Sequence, residues 1–393
     1  MAGLDLRRAL VKLVAITLPA IAVVALVLAV GVEAWVRVTH DPRKGTPGLF
    51  LADPARRMRL APGYSGWFAG VPVHTNGLGL RDDREYTLEK GASTFRILVL
   101  GDSVTFGHGG IAENAYPRLL EKLLREWRSD VDWQVWNAGV PGYNTSQELA
   151  HLLELGPLAR PDLVVVGFFL NDLVDNYEVA PPGRKPGALS GLRAFTQRHV
   201  LSLDLYRKVW LTLQWKLTAS DAYLRRLDAL NAEDALLSRP DDLADRDRQQ
   251  LTAYERLSDE QVATHDCNGE RPEPGVIEAI QREPGWPAWL KAVRDFQALN
   301  AAGTYRVVFF LNIVPPACPS GDIFYDGGVG IENAFFLRVL GEGTPAVSVF
   351  EAFLHRRPSQ MPNARSHAFG NANLTKAETL FAFLKAQRLV PAP

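Results

Sequence analysis

The chain alternates short apolar runs with segments whose apolar residues recur at helical spacing, and this alternation most constrains its fold. The clearest apolar runs cover Phe95–Leu100, which ends abruptly at Gly101, Trp133–Asn137 and Asp162–Phe169. Short runs of this kind are typical of strands that are buried on both faces. Since parallel strands need a crossover between them, usually a helix, the pattern predicts an α/β domain with a parallel sheet covered by helices.

The same pattern continues to the C-terminus. We predict helices over 113–127, 146–155, 286–299 and 374–387, and further strands over 305–313 and 346–350. In sheets of this class, ligands bind outside the carboxyl ends of the strands. The functional residues are therefore expected directly after the apolar runs.

Two regions depart from the alternation. Between about 177 and 285 the chain has a helical pattern over 201–236 and then a charged, loop-rich stretch, which predicts a mainly helical, cap-like insertion rather than an independent domain. Residues 37–90, rich in Pro, Gly and Arg in their first part, are predicted to form a juxtamembrane linker and the approach to the domain. The domain itself is expected to cover 91–393.

An uncharged apolar run of about 20 residues, Leu13–Val32, precedes the linker and is long enough to span the hydrocarbon core of a bilayer. Arg7, Arg8 and Lys12 stand before the run and favour a cytoplasmic N-terminus. We therefore predict a cytoplasmic stub and transmembrane anchor over 1–36. The protein would cross the inner membrane once, with its domain periplasmic or extracellular. A cleaved signal peptide, whose apolar region is usually shorter, and a buried core helix are the alternatives.

Charge and cysteine content exclude several classes. The chain has 43 basic and 44 acidic residues, and this balance lacks the basic excess typical of nucleic-acid-binding proteins. Cys267 and Cys318 are far apart and outside any C-x-x-C motif, which argues against a structural zinc site and leaves either one disulfide or two thiols. The phosphate-loop and dinucleotide glycine motifs are absent from the sequence, so no cofactor and no metal is predicted.

Polar clusters follow three of the predicted strands. They are Gly101-Asp102-Ser103, Asn137-Ala138-Gly139 with Pro141-Gly142 behind it, and Gly167 to Asn171-Asp172. A serine at the start of a helix is exposed, and the N–H groups there favour a developing oxyanion. A capped turn would explain the first cluster alone, and ordinary loops would explain the others. All three at successive strand ends favour a catalytic site.

In this order, the blocks Gly-Asp-Ser, Asn-Ala-Gly-x-Pro-Gly and Gly-x-x-x-Asn-Asp resemble the first three blocks of the SGNH/GDSL hydrolase superfamily. The resemblance implies a flavodoxin-like three-layer α/β sandwich. It also implies that Ser103 is the nucleophile and that Gly139, Asn171 and the Ser103 N–H bind the oxyanion. We assign the adjacent Asp102 and Asp172 to substrate binding. The segment 75–81 resembles membrane-anchored bacterial members linked to envelope polysaccharide machinery.

The fourth block of that superfamily is a histidine with an aspartate three residues before it. His367 stands in the histidine position and would take the serine proton and pass it to the leaving group, but Ala364 stands in the aspartate position. Asn363 and Glu351 are candidates to orient the ring instead. A slow dyad, a triad completed by another residue and a protein without catalysis all remain open.

The resemblance implies a serine carboxylic ester hydrolase that cleaves acyl esters of an envelope glycan or lipid through an acyl-enzyme. If a sugar hydroxyl instead of water accepts the acyl group, the same residues make an O-acyltransferase. A non-catalytic glycan-binding protein is the rival class, and Ala364 is its main support. The expected partners are the acylated substrate, the membrane and possible envelope polysaccharide machinery, without nucleic acid.

Overall fold

The computed structural model of the protein describes residues 2–42, 45–174, 176, 189–203, 206, 209–210, 275–313, 327–353, 363–364, 367–368 and 371–392. Cys267, Cys318 and most of the predicted insertion lie outside the described residues.

Helices and strands follow one another along the described chain as the sequence predicts for most of the domain. In chain order they are α1 (Ala2–Thr39), β1 (Phe50–Asp53), β2 (Arg57–Leu60), β3 (Ser65–Phe68), β4 (Val71–His74), β5 (Thr94–Gly101), α2 (Ser103–Phe106), α3 (Tyr116–Trp127), β6 (Asp132–Gly139), α4 (Thr145–Ala159), β7 (Leu163–Phe168), α5 (Asn171–Val174), α6 (Ser190–His199), α7 (Val276–Arg282), α8 (Trp286–Ala301), β8 (Val307–Leu311), α9 (Gly327–Leu340), β9 (Ala346–Ser348), α10 (Phe350–Phe353), β10 (Asn363–Ala364), β11 (His367–Ala368) and α11 (Asn371–Ala386).

Within the described residues, the centre of the domain is a parallel sheet of five strands in the order β6–β5–β7–β8–β9. Numbered along the chain, these strands run 2-1-3-4-5, which is the flavodoxin-like order. The predicted α/β fold with a parallel sheet is confirmed. The chain reverses its direction of travel across the sheet between β5 and β7, so the crevice at their carboxyl ends is the expected site.

Alternate side chains of each strand point to opposite faces, and helices cover both. On one face Leu98 and Leu100 belong to a core with apolar residues of α4, α8 and α9. On the other, Ile97 and Val99 pack with apolar residues of α3 and α11. The result is the expected three-layer arrangement, which fixes the strand ends rigidly.

The segment 50–74 differs from the predicted linker. In this described segment β1 pairs with β2 and β3 pairs with β4 as antiparallel hairpins. A small core forms between the hairpins and the domain, and it contains Leu49, Leu60, Val73, Phe106 and Tyr143. Strands of four residues are too short to show a clear alternation, so the Pro, Gly and Arg content of their turns dominated the sequence pattern. The folded unit therefore begins near residue 49 rather than 91.

The helix α1 contains a stretch, Val14–Thr39, that is long and apolar enough to cross a membrane, with a mean hydropathy of 2.7. None of its most apolar window is buried against the rest of the protein, so a buried core helix does not fit. A membrane span and a signal sequence both fit this helix.

Candidate active site

Ser103 is the first residue of α2 and lies just beyond the end of β5. Asp102 caps this helix, because its Oδ1 accepts a hydrogen bond from the Val104 N–H at 2.8 Å. The cap places Ser103 at the carboxyl edge of the sheet, at the switch point between β5 and β7. Because the first N–H groups of a helix have no partner within the helix, this position suits a negatively charged oxygen.

Close packing holds α2 on the sheet. Gly101 has a φ of 156°, and a Cβ at this residue would lie 2.0 Å from Thr105 Oγ1. The Thr105 hydroxyl in turn lies 2.9 Å from the hydroxyl of Tyr116, and both side chains are fully buried. The helix therefore sits on the strand ends at a distance that only glycine allows, and this fixes the backbone of Ser103.

Gly139 ends β6 beside α2, and a Cβ there would lie 2.4 Å from the Phe106 nitrogen. Its N–H donates to Asn137 Oδ1 at 3.0 Å, and Asn137 Nδ2 donates to the Thr105 carbonyl at 2.9 Å. The Asn137 amide thus joins the end of β6 to α2. An oxyanion contact from Gly139 would share the N–H with Asn137 or displace it.

Asn171 is the first residue of α5, directly beyond β7. The three strand-end residues of the sequence analysis, Ser103, Gly139 and Asn171, therefore lie at the carboxyl ends of adjacent strands of the sheet. The structure describes the backbone of Asn171 but not its side chain.

His367 lies in β11, which pairs with β10 as a short antiparallel hairpin. Its Nε2 is 2.9 Å from Ser103 Oγ, although the two residues are far apart in the chain. Its ring also stacks on the ring of His108, with centroids 4.3 Å apart and an interplanar angle of 24°. The structure therefore brings the predicted nucleophile and the predicted base into direct contact.

Burial lowers the pKa of His367 well below its ordinary value, and the neighbouring His108 and the positive charge of Lys376 lower it further. The imidazole is therefore neutral at neutral pH, and a neutral ring nitrogen can accept the Ser103 proton. The same environment destabilises the imidazolium that forms when the proton is taken, so His367 is a weak base.

The position of the usual aspartate is occupied by Ala364, which pairs directly with His367 in the hairpin. A methyl group offers neither an acceptor nor a charge to the ring. Glu351, one candidate replacement, is exposed on α10. Asn363, the other, pairs with Ala368 through its backbone, and its side chain lies outside the described part.

Asp102 and Asp172 do not fit their predicted role in substrate binding, because Asp102 is 1% exposed and Asp172 is 0% exposed. Burial raises the pKa of Asp172, as do the neighbouring charges of Glu148 and Asp102, and the Phe169 N–H donates to Asp172 Oδ2 at 3.1 Å. Both carboxyl groups lie beneath the site, where they support the loops after β5 and β7 instead of contacting ligand.

Sequence reasoning missed two buried charged residues, Glu148 and Lys376. Burial raises the pKa of Glu148, and the charge of Asp102 raises it further. Burial lowers the pKa of Lys376 to about 8, against the opposing attraction of Asp102. A signal existed, because Glu148 shares a helical face with Leu152 and Leu155, and Lys376 shares one with apolar residues of α11.

Arg81, noted only as part of the segment 75–81, is buried and clamps the loop that follows α2. Its guanidinium donates to the carbonyl of Gly107 at 2.6 Å and also to those of Phe106 and Gly110. Burial lowers its pKa to about 10, so it stays charged at neutral pH. Burial and the charge of Arg81 lower the pKa of His108 to about 4. His108 is therefore a neutral ring held against His367.

In the described ranges, no three His, Cys, Asp or Glu side chains are grouped so that they could hold a metal ion. The chemistry that these ranges support is proton transfer and nucleophilic attack by Ser103 and His367.

Residues 99–266 match the family model of the GDSL-like lipase/acylhydrolase family. A stretch of 77 residues is 38% identical to an arylesterase of Vibrio mimicus and covers 20% of this chain and 38% of that protein. Similar solved structures include an alpha/beta hydrolase from the metagenome of Lake Arreo, Spain, at 15% identity and a TM-score of 0.35, covering 78% of this chain and 99% of that one. Another is an acetyl xylan esterase from Geobacillus stearothermophilus, at 12% identity and a TM-score of 0.36, covering 74% and 94%. On the family match and the order of its motifs, residues 99–266 form an SGNH/GDSL hydrolase region.

Proposed function

We propose that this protein is a serine esterase, attached to a membrane by α1, that removes ester-linked acyl groups from a glycan or lipid of the cell envelope. The observation that carries the proposal is the 2.9 Å contact between Ser103 Oγ and His367 Nε2 at the carboxyl edge of the sheet. The family match over residues 99–266 supports ester chemistry independently of this distance.

In the proposed reaction Ser103 Oγ attacks the ester carbonyl while His367 Nε2 takes the hydroxyl proton. The N–H groups of Ser103, Gly139 and Asn171 stabilise the oxyanion that forms. His367 then gives the proton to the leaving alcohol, which departs and leaves an acyl group on Ser103. Water attacks this acyl-enzyme with His367 again as base, and the acid is released as Ser103 regains its proton.

The environment of His367 predicts a slow enzyme. In a serine protease, removing the carboxylate that supports the histidine costs about 10⁴ in turnover. Ala364 offers no carboxylate at this position of the hairpin, and burial and the charge of Lys376 disfavour the imidazolium. His108 supplies orientation instead, since its ring covers one face of His367.

The membrane and substrate parts of the proposal rest on α1 and on the segment 75–81. The apolar stretch Val14–Thr39 leads straight into the folded domain, which favours an anchored protein acting on envelope material. We place the protein in the inner membrane as a single-pass protein with its domain on the periplasmic or extracellular side. The resemblance of 75–81 to membrane-anchored members suggests envelope polysaccharide machinery as a partner.

The test is hydrolysis of p-nitrophenyl acetate by the full-length protein in detergent, compared with Ser103→Ala. Ser129→Ala is the matched control, because Ser129 is exposed beyond α3 and remote from the site in sequence. We expect the wild type and the control to hydrolyse the ester and Ser103→Ala to fall to background while its circular dichroism spectrum is unchanged. Equal rates for all three proteins would overturn the proposal. Recovery of the acyl group on an added sugar would assign a transferase instead.

A further inference from the structure

An exposed apolar surface follows the active-site region in sequence, on α6 and the residues around it. Its exposed side chains, which we call the outer apolar face, are Leu189, Leu192, Phe195, Leu203, Tyr206, Val209 and Trp210. Of these side chains, Leu192 is 61% exposed and Phe195 is 59% exposed. Large apolar side chains grouped in this way mark a contact with an apolar partner.

Two polar side chains of α6 contact the segment 50–74 while large apolar side chains of the same helix are exposed. Gln197 Oε1 accepts from the Ala52 N–H at 3.2 Å, and Arg198 donates to the Pro62 carbonyl at 3.4 Å. Ala194 packs against the core of the hairpins on the same side. Residues 194, 197 and 198 form the inner face by their helical spacing, which leaves Leu192 and Phe195 on the outer one.

The C-terminal end of α6 is tied to the end of the apolar run of α1. Glu33 accepts hydrogen bonds from the N–H groups of Leu201 at 3.1 Å and Ser202 at 2.9 Å. Arg37 pairs with Glu33 at 2.7 Å and donates to the His199 carbonyl. Since the uncharged run ends at Val32, these contacts hold residues 199–202 at the level where α1 would leave the hydrocarbon core.

We propose that the outer apolar face lies on the surface of the bilayer that α1 crosses, as a second contact between the domain and the lipid. This inference rests on the membrane attachment in the proposed function. An interfacial helix combines an apolar face, aromatic residues and basic residues near anionic headgroups. The outer apolar face supplies the aromatic residues Phe195 and Trp210, and Arg193 is an exposed basic residue on the same helix as Phe195. In α1, Trp35 is 60% exposed and lies two residues after Glu33.

A bilayer is favoured over other occupants because the face is continuous with the membrane exit of α1. Two contacts, the span and the face, would prevent the domain from rotating about α1. The site would then keep one orientation relative to the bilayer, which would favour substrates presented at a fixed height above it.

The test uses full-length protein reconstituted into liposomes of phosphatidylethanolamine and phosphatidylglycerol. A photoreactive p-benzoylphenylalanine is placed at Phe195, which preserves an aromatic side chain and leaves both native cysteines in place. A second variant carries p-benzoylphenylalanine at Val24, to test whether α1 lies in the membrane. A third variant carries the photoreactive residue at Lys122 of α3, whose side chain is 71% exposed, as a control on the surface of the domain. After irradiation, mass spectrometry identifies whether each position is joined to phospholipid or to protein.

We expect phospholipid adducts at positions 195 and 24 and none above background at 122. Adducts at 24 together with only protein adducts, or none, at 195 would overturn the inference and leave the anchor intact. Absence of adducts at both 24 and 195 would overturn the membrane attachment and the inference with it. Hydrolysis of p-nitrophenyl acetate by the same samples is judged separately, so the esterase proposal can stand or fall independently.

Discussion

The two halves of the catalytic pair are held in different ways. The backbone of Ser103 is fixed by the Asp102 cap, by the close approach of α2 to Gly101 and Gly139, and by the Asn137 amide. His367 stands in a two-residue strand, where it contacts Ser103 and stacks on His108. The nucleophile is thus built into the sheet, whereas the base depends on contacts between side chains distant in sequence.

The electrostatic surroundings differ in the same direction. Beneath the nucleophile, Asp102 and Lys376 attract one another in a buried position, and each offsets part of the burial cost of the other. Around the base, burial and the positive charge of Lys376 oppose protonation. The difference teaches that the backbone positions Ser103 for attack, whereas burial and the charge of Lys376 oppose the charge that His367 gains during proton transfer, so changes on the base side should alter the rate most.

The largest expected effect is a gain of activity from Ala364→Asp. This change places a carboxylate opposite His367 in the hairpin and would stabilise the imidazolium, so we expect kcat/KM to rise about 10- to 100-fold. Because a nearby negative charge raises a histidine pKa, the acid limb of the pH profile should also move to higher pH.

Ala364→Asn is the matched control, since it adds a similar side chain without the charge and should gain little. Ester hydrolysis over a range of pH measures both effects. Equal gains for the two variants would show that the missing charge does not limit the reaction.

On the nucleophile side, Gly139→Ala tests close packing. The new methyl group would lie 2.4 Å from the Phe106 nitrogen. Because that nitrogen belongs to the backbone of α2, relieving the clash requires α2 to move. We expect the free energy of unfolding to fall by about 2 kcal/mol, as measured by urea denaturation. Gly63→Ala is a useful contrast, because a Cβ there meets nothing within 4 Å, although its φ of 61° adds some backbone strain. A smaller loss at Gly139 than at Gly63 would contradict the packing account.

His108 tests whether the base is positioned by stacking. In His108→Ala the ring that covers His367 is lost, and we expect kcat to fall about 10-fold with little change in KM. His108→Phe keeps a ring and should recover most of the rate, because His108 is neutral and acts through its shape. If Phe rescues no better than Ala, the role of His108 lies in its nitrogen atoms instead.

The smallest effect requires no substitution and concerns the acid limb of the wild-type profile. Because the pKa of His367 is lowered, the ring takes up a proton only at a pH below the ordinary histidine value of about 6.5. We therefore expect kcat/KM to persist as pH falls through 6.5 and to drop only at lower pH. An acid limb at or above the ordinary value would contradict the buried, positively flanked environment of His367.

Much of the fold was predictable because its elements are long and strongly patterned. β7 is apolar throughout, β5 is apolar from Ile97 to Leu100, and the predicted helix over 286–299 matches α8 closely. The hairpins of residues 50–74 were not predictable as such, since strands of four residues carry too few alternations to stand out from their turns.

The candidate site likewise has one part that the sequence predicts and one part that depends on the folded structure. The position of Ser103 follows from local sequence, because a strand, a glycine and a capping Asp102 specify the turn. The burial of Asp102 and Asp172 did not follow, because it depends on how α4 and α11 cover the strand ends. The hydrogen bond from Gly139 to Asn137 is likewise a product of the folded arrangement.

The central claim, that His367 activates Ser103 as a nucleophile, is tested most directly by covalent trapping. Full-length protein is treated with a fluorophosphonate, which reacts with activated serines, and the modified residue is located by peptide mass spectrometry. The account predicts a single adduct on Ser103, formed much more slowly in His367→Gln and absent in Ser103→Ala. An adduct on another serine, or equal rates of labelling in the wild type and His367→Gln, would contradict it.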